Sequence, residues 1–371
     1  MRVIVSAGGT GGHIYPALAI INKIRAKEPN SEFLYIGTHN RMEKDIVPKY
    51  GIKYKSLTII GLERKHIFRN IKTLRYFLGA IKDAKKMIKE FNPDIVIGVG
   101  GYVTGPVIYA AKKLGYKTLI HEQNSILGLS NRFLLKYADA VAVSFESTVN
   151  YVDDLKKVIF TGNPCSEEAL KKTAMNKSNL GLSPSKKLVL IVMGSLGSVV
   201  INDKMKLMLQ LFNNKEYEVV FVTGNRYYES FKDLKFASNI KIVPYIDDMS
   251  RLMKTTDLMI SRAGATTMSE IIALNVPTIL IPSPHVTDNH QLKNAMDLYE
   301  KDAALLLEES DLNGDNLVRM VDDLFRNTER YNKIKKNLSR LVIKDSATRI
   351  YDIAYNLVSG RKDDEKRNKR D

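Results

Sequence analysis

Two doubly wound, parallel-sheet α/β domains in tandem, each Rossmann-like, are predicted from three observations. Short apolar, β-rich runs recur between helical patterns, the alternation restarts after about residue 165, and 371 residues with 44% apolar content suit two domains of ordinary size. Apolar runs without polar alternation read as parallel strands covered on both faces.

In the first half these runs are RVIVS, EFLYIG, DIVIGVG, TLIHE and AVAVS. The second half repeats the pattern with KKLVLIVMG, EVVFVTG, IKIVPY, DLMISRAG and PTILIPSP, each followed by a plausible helix. The turn signal Gly162-Asn163-Pro164, ahead of a polar stretch reaching Ser185, sets the join, so that residues 1–163 and 164–343 are the expected domains. Ligands of such sheets bind at the carboxyl ends of the strands, and a cleft between two domains is the default site. Residues 361–371, RKDDEKRNKRD, lack apolar content and are expected to form a mobile charged tail.

Composition narrows the function classes. A single cysteine, Cys165, excludes an internal disulfide and a cysteine zinc cluster, and fits a reducing cytoplasm. The opening MRVIVSAGGTGGH reads as a first strand and loop, not an export signal. Residues 95–111 are too short and too interrupted by glycine and proline for a membrane span. The net charge of +16 favours anionic lipid surfaces, nucleic acid or polyphosphorylated ligands. No stacked-aromatic pattern or recognition helix supports nucleic acid.

Three glycine loops carry chemistry. The first, Ser6-Ala7-Gly8-Gly9-Thr10-Gly11-Gly12-His13, lies between the first strand and a helix, where backbone N–H groups approach a phosphate or sugar oxygen. It does not complete the dinucleotide fingerprint, because the second strand ends in Ile36-Gly37-Thr38-His39 without an acidic residue, and no Gly-Lys-Ser/Thr occurs. His13 stands where the loop becomes helix, either as a general base for a substrate hydroxyl or as a helix-capping side chain. The second loop, Gly98-Val99-Gly100-Gly101, is either a ligand loop or a tight strand-to-helix turn. The third, Met193-Gly194-Ser195-Leu196-Gly197-Ser198, opens a helix whose N-terminus suits a diphosphate.

Four motifs together resemble the MurG family of cell-wall N-acetylglucosaminyltransferases, which have the GT-B fold and convert lipid I to lipid II. They are the segment from Ala7 to His13, the segment from Gly98 to Pro106, His121-Glu122-Gln123-Asn124, and Ser261-Arg262-Ala263-Gly264-Ala265, and the likeness runs in order from residue 1 to about 360. The resemblance implies that a C-terminal helix near 344–360 rejoins the first domain, which binds acceptor and membrane, while the second binds the UDP-sugar. It places residues 8 to 12 and 98 to 101 toward the acceptor's diphosphate and sugar, with Gly100, Gly101 and Tyr102 as the acceptor loop and His13 as the catalytic base. For UDP-N-acetylglucosamine it implies contacts by Thr10, Gly11, Gly12, Asn124, Ser195, Ile246, Ala265, Thr266, Glu270 and Gln291. Among these Ser195 holds the pyrophosphate, Ile246 meets uracil, Glu270 meets the ribose and Gln291 meets the sugar hydroxyls, with Asn294, one turn on, as a second candidate. The chain departs from the family at Met193, at Ser198, and at Cys165-Ser166, where relatives carry an arginine within two residues of the Gly-Asn-Pro turn.

Residues 61 to 90 hold nine Lys or Arg and three acids. Ile67, Ile71, Leu74, Leu78, Ile81 and Ile88 repeat at helical spacing, Phe68 and Phe77 add a second apolar edge, and Arg64, Lys65, Arg69, Lys72 and Arg75 lie alongside. The expectation is that the stripe packs on the sheet while Phe68, Arg69, Arg75 and Phe77 meet anionic lipid. The implied activity is an inverting transfer from UDP-N-acetylglucosamine to the 4-hydroxyl of the muramyl sugar of lipid I, at the cytoplasmic face of the cell membrane, with no metal and no cofactor. The alternatives are a GT-B transferase acting on another lipid, such as a diacylglycerol galactosyltransferase, a UDP-sugar epimerase, or a basic nucleic-acid-binding protein.

Overall fold

The computed structural model describes residues 1–61, 69–152, 157–194 and 199–367. The chain forms two compact units, one of Met1–Cys165 with Asp345–Asp371 and one of Ser166–Lys344. The first unit opens with β1 (Arg2–Ser6), α1 (Gly11–Lys27), β2 (Glu32–Thr38), α2 (Glu43–Ile46) and β3 (Lys53–Leu57). It continues through α3 (Arg69–Phe91), β4 (Ile95–Gly98), α4 (Thr104–Lys113), β5 (Lys117–Glu122), α5 (Leu129–Leu134), β6 (Ala140–Val143) and β7 (Val158–Phe160). Its seven strands pair in parallel in the order β3-β2-β1-β4-β5-β6-β7.

Strand β1 shows why the apolar runs are uninterrupted. Successive side chains of a strand point to opposite faces. Val3 and Val5 enter a core with Ile14, Ile21 and Ile24 of α1, whereas Ile4 enters another with Ala80, Ala84 and Ile88 of α3 and Val107 and Ile108 of α4. Helices cover both faces, so both sets must be apolar.

The chain leaves this unit through α6 (Pro164–Lys171) and builds β8 (Leu188–Val192), α7 (Val199–Met208), β9 (Glu218–Val222), β10 (Ile240–Val243), α8 (Met249–Met253) and β11 (Leu258–Ser261). Then come α9 (Ala265–Leu274), β12 (Thr278–Leu280), α10 (His290–Tyr299), β13 (Leu305–Leu306), α11 (Gly314–Arg326) and α12 (Thr328–Arg340). The six strands form a second parallel sheet in the order β10-β9-β8-β11-β12-β13. Helix α13 (Ser346–Arg367) then sends Ile350, Ala354 and Val358, four residues apart, into the core behind β1 and α1. It continues through 361–367, which the sequence reading assigned to a mobile tail. Arg, Lys and Glu are strong helix formers, and a helix already nucleated by packing propagates through them.

In each sheet the strand order reverses beside the first strand, between β1 and β4 and between β8 and β11. Loops after such strands frame the binding crevice of a doubly wound sheet. Register keeps them level, because Ser6 pairs with Gly98 and Val192 with Ser261. Among the described residues no helix is long and apolar enough to cross a membrane.

Candidate active site

In the first unit the loops after β1 and β4 interlock through their glycines. Gly8 N donates to Gly100 O at 3.3 Å, and Nδ1 of His13 lies 3.0 Å from Gly8 O. Gly100 and Gly101 have φ of +100° and +84°, a region L side chains rarely adopt. A Cβ on Gly100 would stand 2.6 Å from His13 Cδ2, and one on Gly101 would stand 2.3 Å from Gly8 O. The second loop is therefore bound to the backbone that holds His13. Thr104 Oγ1 donates to Gly100 O at 2.8 Å and Ser130 Oγ to Gly101 O at 3.2 Å, which fixes the loop from α4 and α5. Thr10 is the N-cap of α1, so Thr10, Gly11 and Gly12 lie at the positive end of that helix. Tyr102 is half-buried against the same core as α3 and α4.

At the end of the next strand, β5, the segment His121-Glu122-Gln123-Asn124 forms a largely buried polar network. Glu122 accepts the backbone N–H and the side-chain amide of Asn124 at 3.0 and 3.1 Å, and also Gly128 N and Asn131 Nδ2, both at 2.9 Å. The carboxylate thus sets the direction of the Asn124 amide. Gln123 Nε2 reaches Val99 O and His121 Nδ1, both at 2.9 Å. An amide donor on Nδ1 leaves His121 with its proton on Nε2, facing Gly162 O and Ser144 Oγ. Burial pushes the His121 pKa down to about 4; the Gly162 carbonyl opposes this, and the nearby His13 adds to it. His121 is therefore a neutral structural group, and of the two histidines His13 is the one at the loop surface.

Glu43 was missed by the sequence reading. Its side chain is buried, and it accepts Gly9 N at 3.2 Å, Thr38 N at 3.0 Å and Thr38 Oγ1 at 2.7 Å. The only local sign of it was an acid in the short segment after the second strand, which reads as an ordinary surface residue.

In the second unit Ile246 follows β10, and Ala265, Thr266 and Glu270 follow β11. Ser195 falls outside the described residues, just after Gly194 at the end of β8. Ile246 is buried in the turn between β10 and α8. Gly264 caps α9, placing Ala265, Thr266 and Glu270 on its first turns. Ser250 of α8 donates to Glu270 Oε1 at 3.0 Å, joining the Ile246 turn to the α9 carboxylate. Burial pushes the Glu270 carboxyl up to about 7, the Ser250 bond pulls it down, and repulsion from Asp248 pushes it up further. Gln291 accepts from Ser283 N at 2.9 Å, which leaves its NH₂ as the group directed elsewhere. Two consecutive left-handed residues, Asp288 and Asn289 (φ 55° and 52°), turn the chain into α10 just ahead of it. Asn294, the second candidate for sugar recognition, is fully buried and donates to Ala263 O at 3.1 Å. It supports the β11–α9 loop from behind instead, because the helix turns this face to the core.

Phe68 and the Arg69 side chain lie outside the described residues. Phe77 is half-buried on the core rather than projecting from it. It packs edge-on against Phe133 at 6.2 Å between centroids and covers Gly105, where a Cβ would meet its ring at 3.3 Å. Among the described residues of α3, Leu74 and Leu78 point outward, each 58% exposed, beside the exposed Arg75. At the family's arginine position, Cys165 and Ser166 are both buried at the start of α6.

Two Rossmann-like parallel-sheet units in tandem are the GT-B architecture, and the family matches make the chain a glycosyltransferase of that class. Residues 3–143 match the glycosyltransferase family 28 N-terminal domain and residues 188–353 its C-terminal domain. The chain belongs to glycosyltransferase family 28 and is a hexosyltransferase. It is 47% identical, over 96% of its length and 100% of the relative's, to the UDP-N-acetylglucosamine--N-acetylmuramyl-(pentapeptide) pyrophosphoryl-undecaprenol N-acetylglucosamine transferase 1 of Bacillus cereus. Among solved structures it is similar to Acinetobacter baumannii MurG, with a TM-score of 0.77, 26% identity, and 96% and 99% of the two chains covered. A UDP-GlcNAc 2-epimerase from Neisseria meningitidis, bound to UDP-GlcNAc, shares the fold alone, with a TM-score of 0.67, 17% identity and coverage of 95% and 99%.

Proposed function

We propose that this enzyme moves N-acetylglucosamine from UDP-N-acetylglucosamine to the 4-hydroxyl of the muramyl sugar of lipid I, giving lipid II, while resting peripherally on the cytoplasmic face of the cell membrane. The observation that carries the chemistry is the tether of His13. With Nδ1–H donating to Gly8 O, the basic lone pair of the ring is on Nε2. Nε2 takes the proton of the muramyl 4-hydroxyl as that oxygen attacks the anomeric carbon. The bond from that carbon to the UDP oxygen breaks on the opposite face, the configuration inverts, and a β-1,4 link forms.

The leaving diphosphate gains negative charge, which Ser195 and the positive end of α7 neutralise. Glu270 accepts the ribose hydroxyls, Ile246 offers backbone groups to uracil, and Ala265 and Thr266 line the nucleotide. Gln291 and Asn124 read the sugar, with Thr10, Gly11 and Gly12 bordering it, and Gly100, Gly101 and Tyr102 face the acceptor. Arg75 with Leu74 and Leu78 supplies a basic and apolar face for anionic lipid. Identity along nearly the whole chain with a transferase named for this reaction favours it over the epimerase reading, which rests on fold alone.

The test is transfer of radiolabelled sugar from UDP-N-acetylglucosamine to a short-chain lipid I analogue. A β-linked disaccharide product is expected. Epimerised UDP-sugar formed without acceptor, or transfer to diacylglycerol but not to lipid I, overturns the reading.

A further inference from the structure

We propose that Glu43 is a positioning residue for His13, acting through the first glycine loop; the proposal rests on the reading of His13 as the base. Glu43 opens α2, between the second and third strands, and its side chain is fully buried. A buried carboxylate costs several kcal/mol unless hydrogen bonds compensate it, and its direct donors are Gly9 N, Thr38 N and Thr38 Oγ1. One of these donors belongs to the loop that carries Gly8, and Gly8 O holds Nδ1 of His13 at 3.0 Å.

Two glycines make room for it. Neither Gly8 nor Gly37 has a positive φ, so their backbones are open to any residue. What excludes a side chain is space: a Cβ on Gly8 would stand 2.6 Å from Glu43 Oε1 and 3.1 Å from Val103 Cγ1. A Cβ on Gly37 would stand 2.7 Å from Glu43 Cγ and 2.6 Å from the Tyr54 hydroxyl. Glycines on two separate strand ends thus clear the volume that this carboxylate occupies. Tyr54 closes the far side, its hydroxyl donating to Thr38 O. The bond to Gly9 also directs that amide inward, so the loop's ligand-facing donors are those nearer the start of α1.

A Glu43→Gln side chain keeps the shape but presents an N–H where Gly9 N needs an acceptor. The loop shifts, and the Gly8 carbonyl loses its hold on Nδ1. The expected result is a kcat at least about tenfold below wild type with the KM for UDP-N-acetylglucosamine within about twofold. In ¹⁵N-histidine spectra the His13 ring moves from the Nδ1–H form toward the Nε2–H form. Thr38→Val, which removes only the hydroxyl donor, gives the same pattern more weakly and serves if Glu43→Gln does not fold. His13 signals unchanged in both variants overturn the proposal. A shifted His13 tautomer with unchanged kcat retains Glu43 as its positioner but removes His13 as the base, so the two readings fail separately.

Discussion

His13 Nδ1 and the Gly8 carbonyl oxygen are 3.0 Å apart, and Gly8 N in turn donates to Gly100 O. The imidazole is therefore oriented by backbone, and its tautomer follows from the chain path. His13→Ala should lower kcat by about a hundred- to ten-thousand-fold, the usual cost of losing a positioned base. Donor binding, measured by calorimetry with UDP-N-acetylglucosamine, should be unchanged. Near-normal turnover would remove His13 from the mechanism.

Gly100→Ala tests the same arrangement from the other loop. Alanine must adopt φ near +100° and place Cβ 2.6 Å from His13 Cδ2. Backbone strain of this kind costs about 1–3 kcal/mol of stability, while displacement of the ring by about 1 Å costs on the order of a hundredfold in rate. The comparison of kcat with Tm decides: a lower Tm with turnover kept within a few-fold means that Gly100 serves folding and not His13.

The strands and the glycine-ended loops of the first unit were legible because burial on both faces of a parallel sheet leaves unbroken apolar runs, and glycines punctuate their ends. Glu43 was not legible, because its meaning depends on Gly8 and Gly37 meeting in space from different strands. The orientation of α3 was misread for a different reason. Among its described residues the buried face is Thr73, Ala80, Ala84 and Ile88, where small side chains let α4 approach closely, while Leu74 and Leu78 turn outward. Periodicity weighs large apolar residues, so it assigned the core face to the larger side chains. Asn294 was misjudged similarly, since a polar residue on a helix gives no sign that a loop carbonyl, here Ala263 O, waits beneath it.

The exposed pair on α3 yields a membrane prediction. Burying one leucine side chain contributes about 1.5–3 kcal/mol, so Leu74→Ser with Leu78→Ser should weaken binding to vesicles containing anionic lipid by at least roughly tenfold. Arg75→Glu should weaken it mainly at low salt, since a basic residue near such a surface contributes about 1 kcal/mol and is screened. None of these side chains is buried, so Tm should not move. Sedimentation with vesicles is the measurement, and retention of the double variant at wild-type levels would show that α3 does not face lipid.

With Glu270 as the proposed acceptor of the ribose hydroxyls, donor binding should depend on pH. Its carboxyl is pushed from 4.5 up to about 7, so the folded protein holds a proton that the unfolded chain has lost between those values. The sign follows directly: this group stabilises the fold most below about pH 4.5, and its contribution falls as pH rises toward 7, with no further loss above. Glu270→Gln, which cannot ionise, should therefore raise Tm at about pH 8 and leave it little changed at about pH 5. Ribose hydroxyls donate to the ionised form, so binding UDP-N-acetylglucosamine must expel the proton, and affinity should rise with pH. It should be on the order of tenfold weaker at about pH 5.5 than at about pH 8. The diester diphosphate of this ligand does not titrate in that range, so the slope belongs to the protein. Calorimetry in buffers of different ionisation enthalpy should detect proton release in the wild type and none in Glu270→Gln. A wild-type affinity flat across the range would mean that Glu270 is not in contact with the ribose.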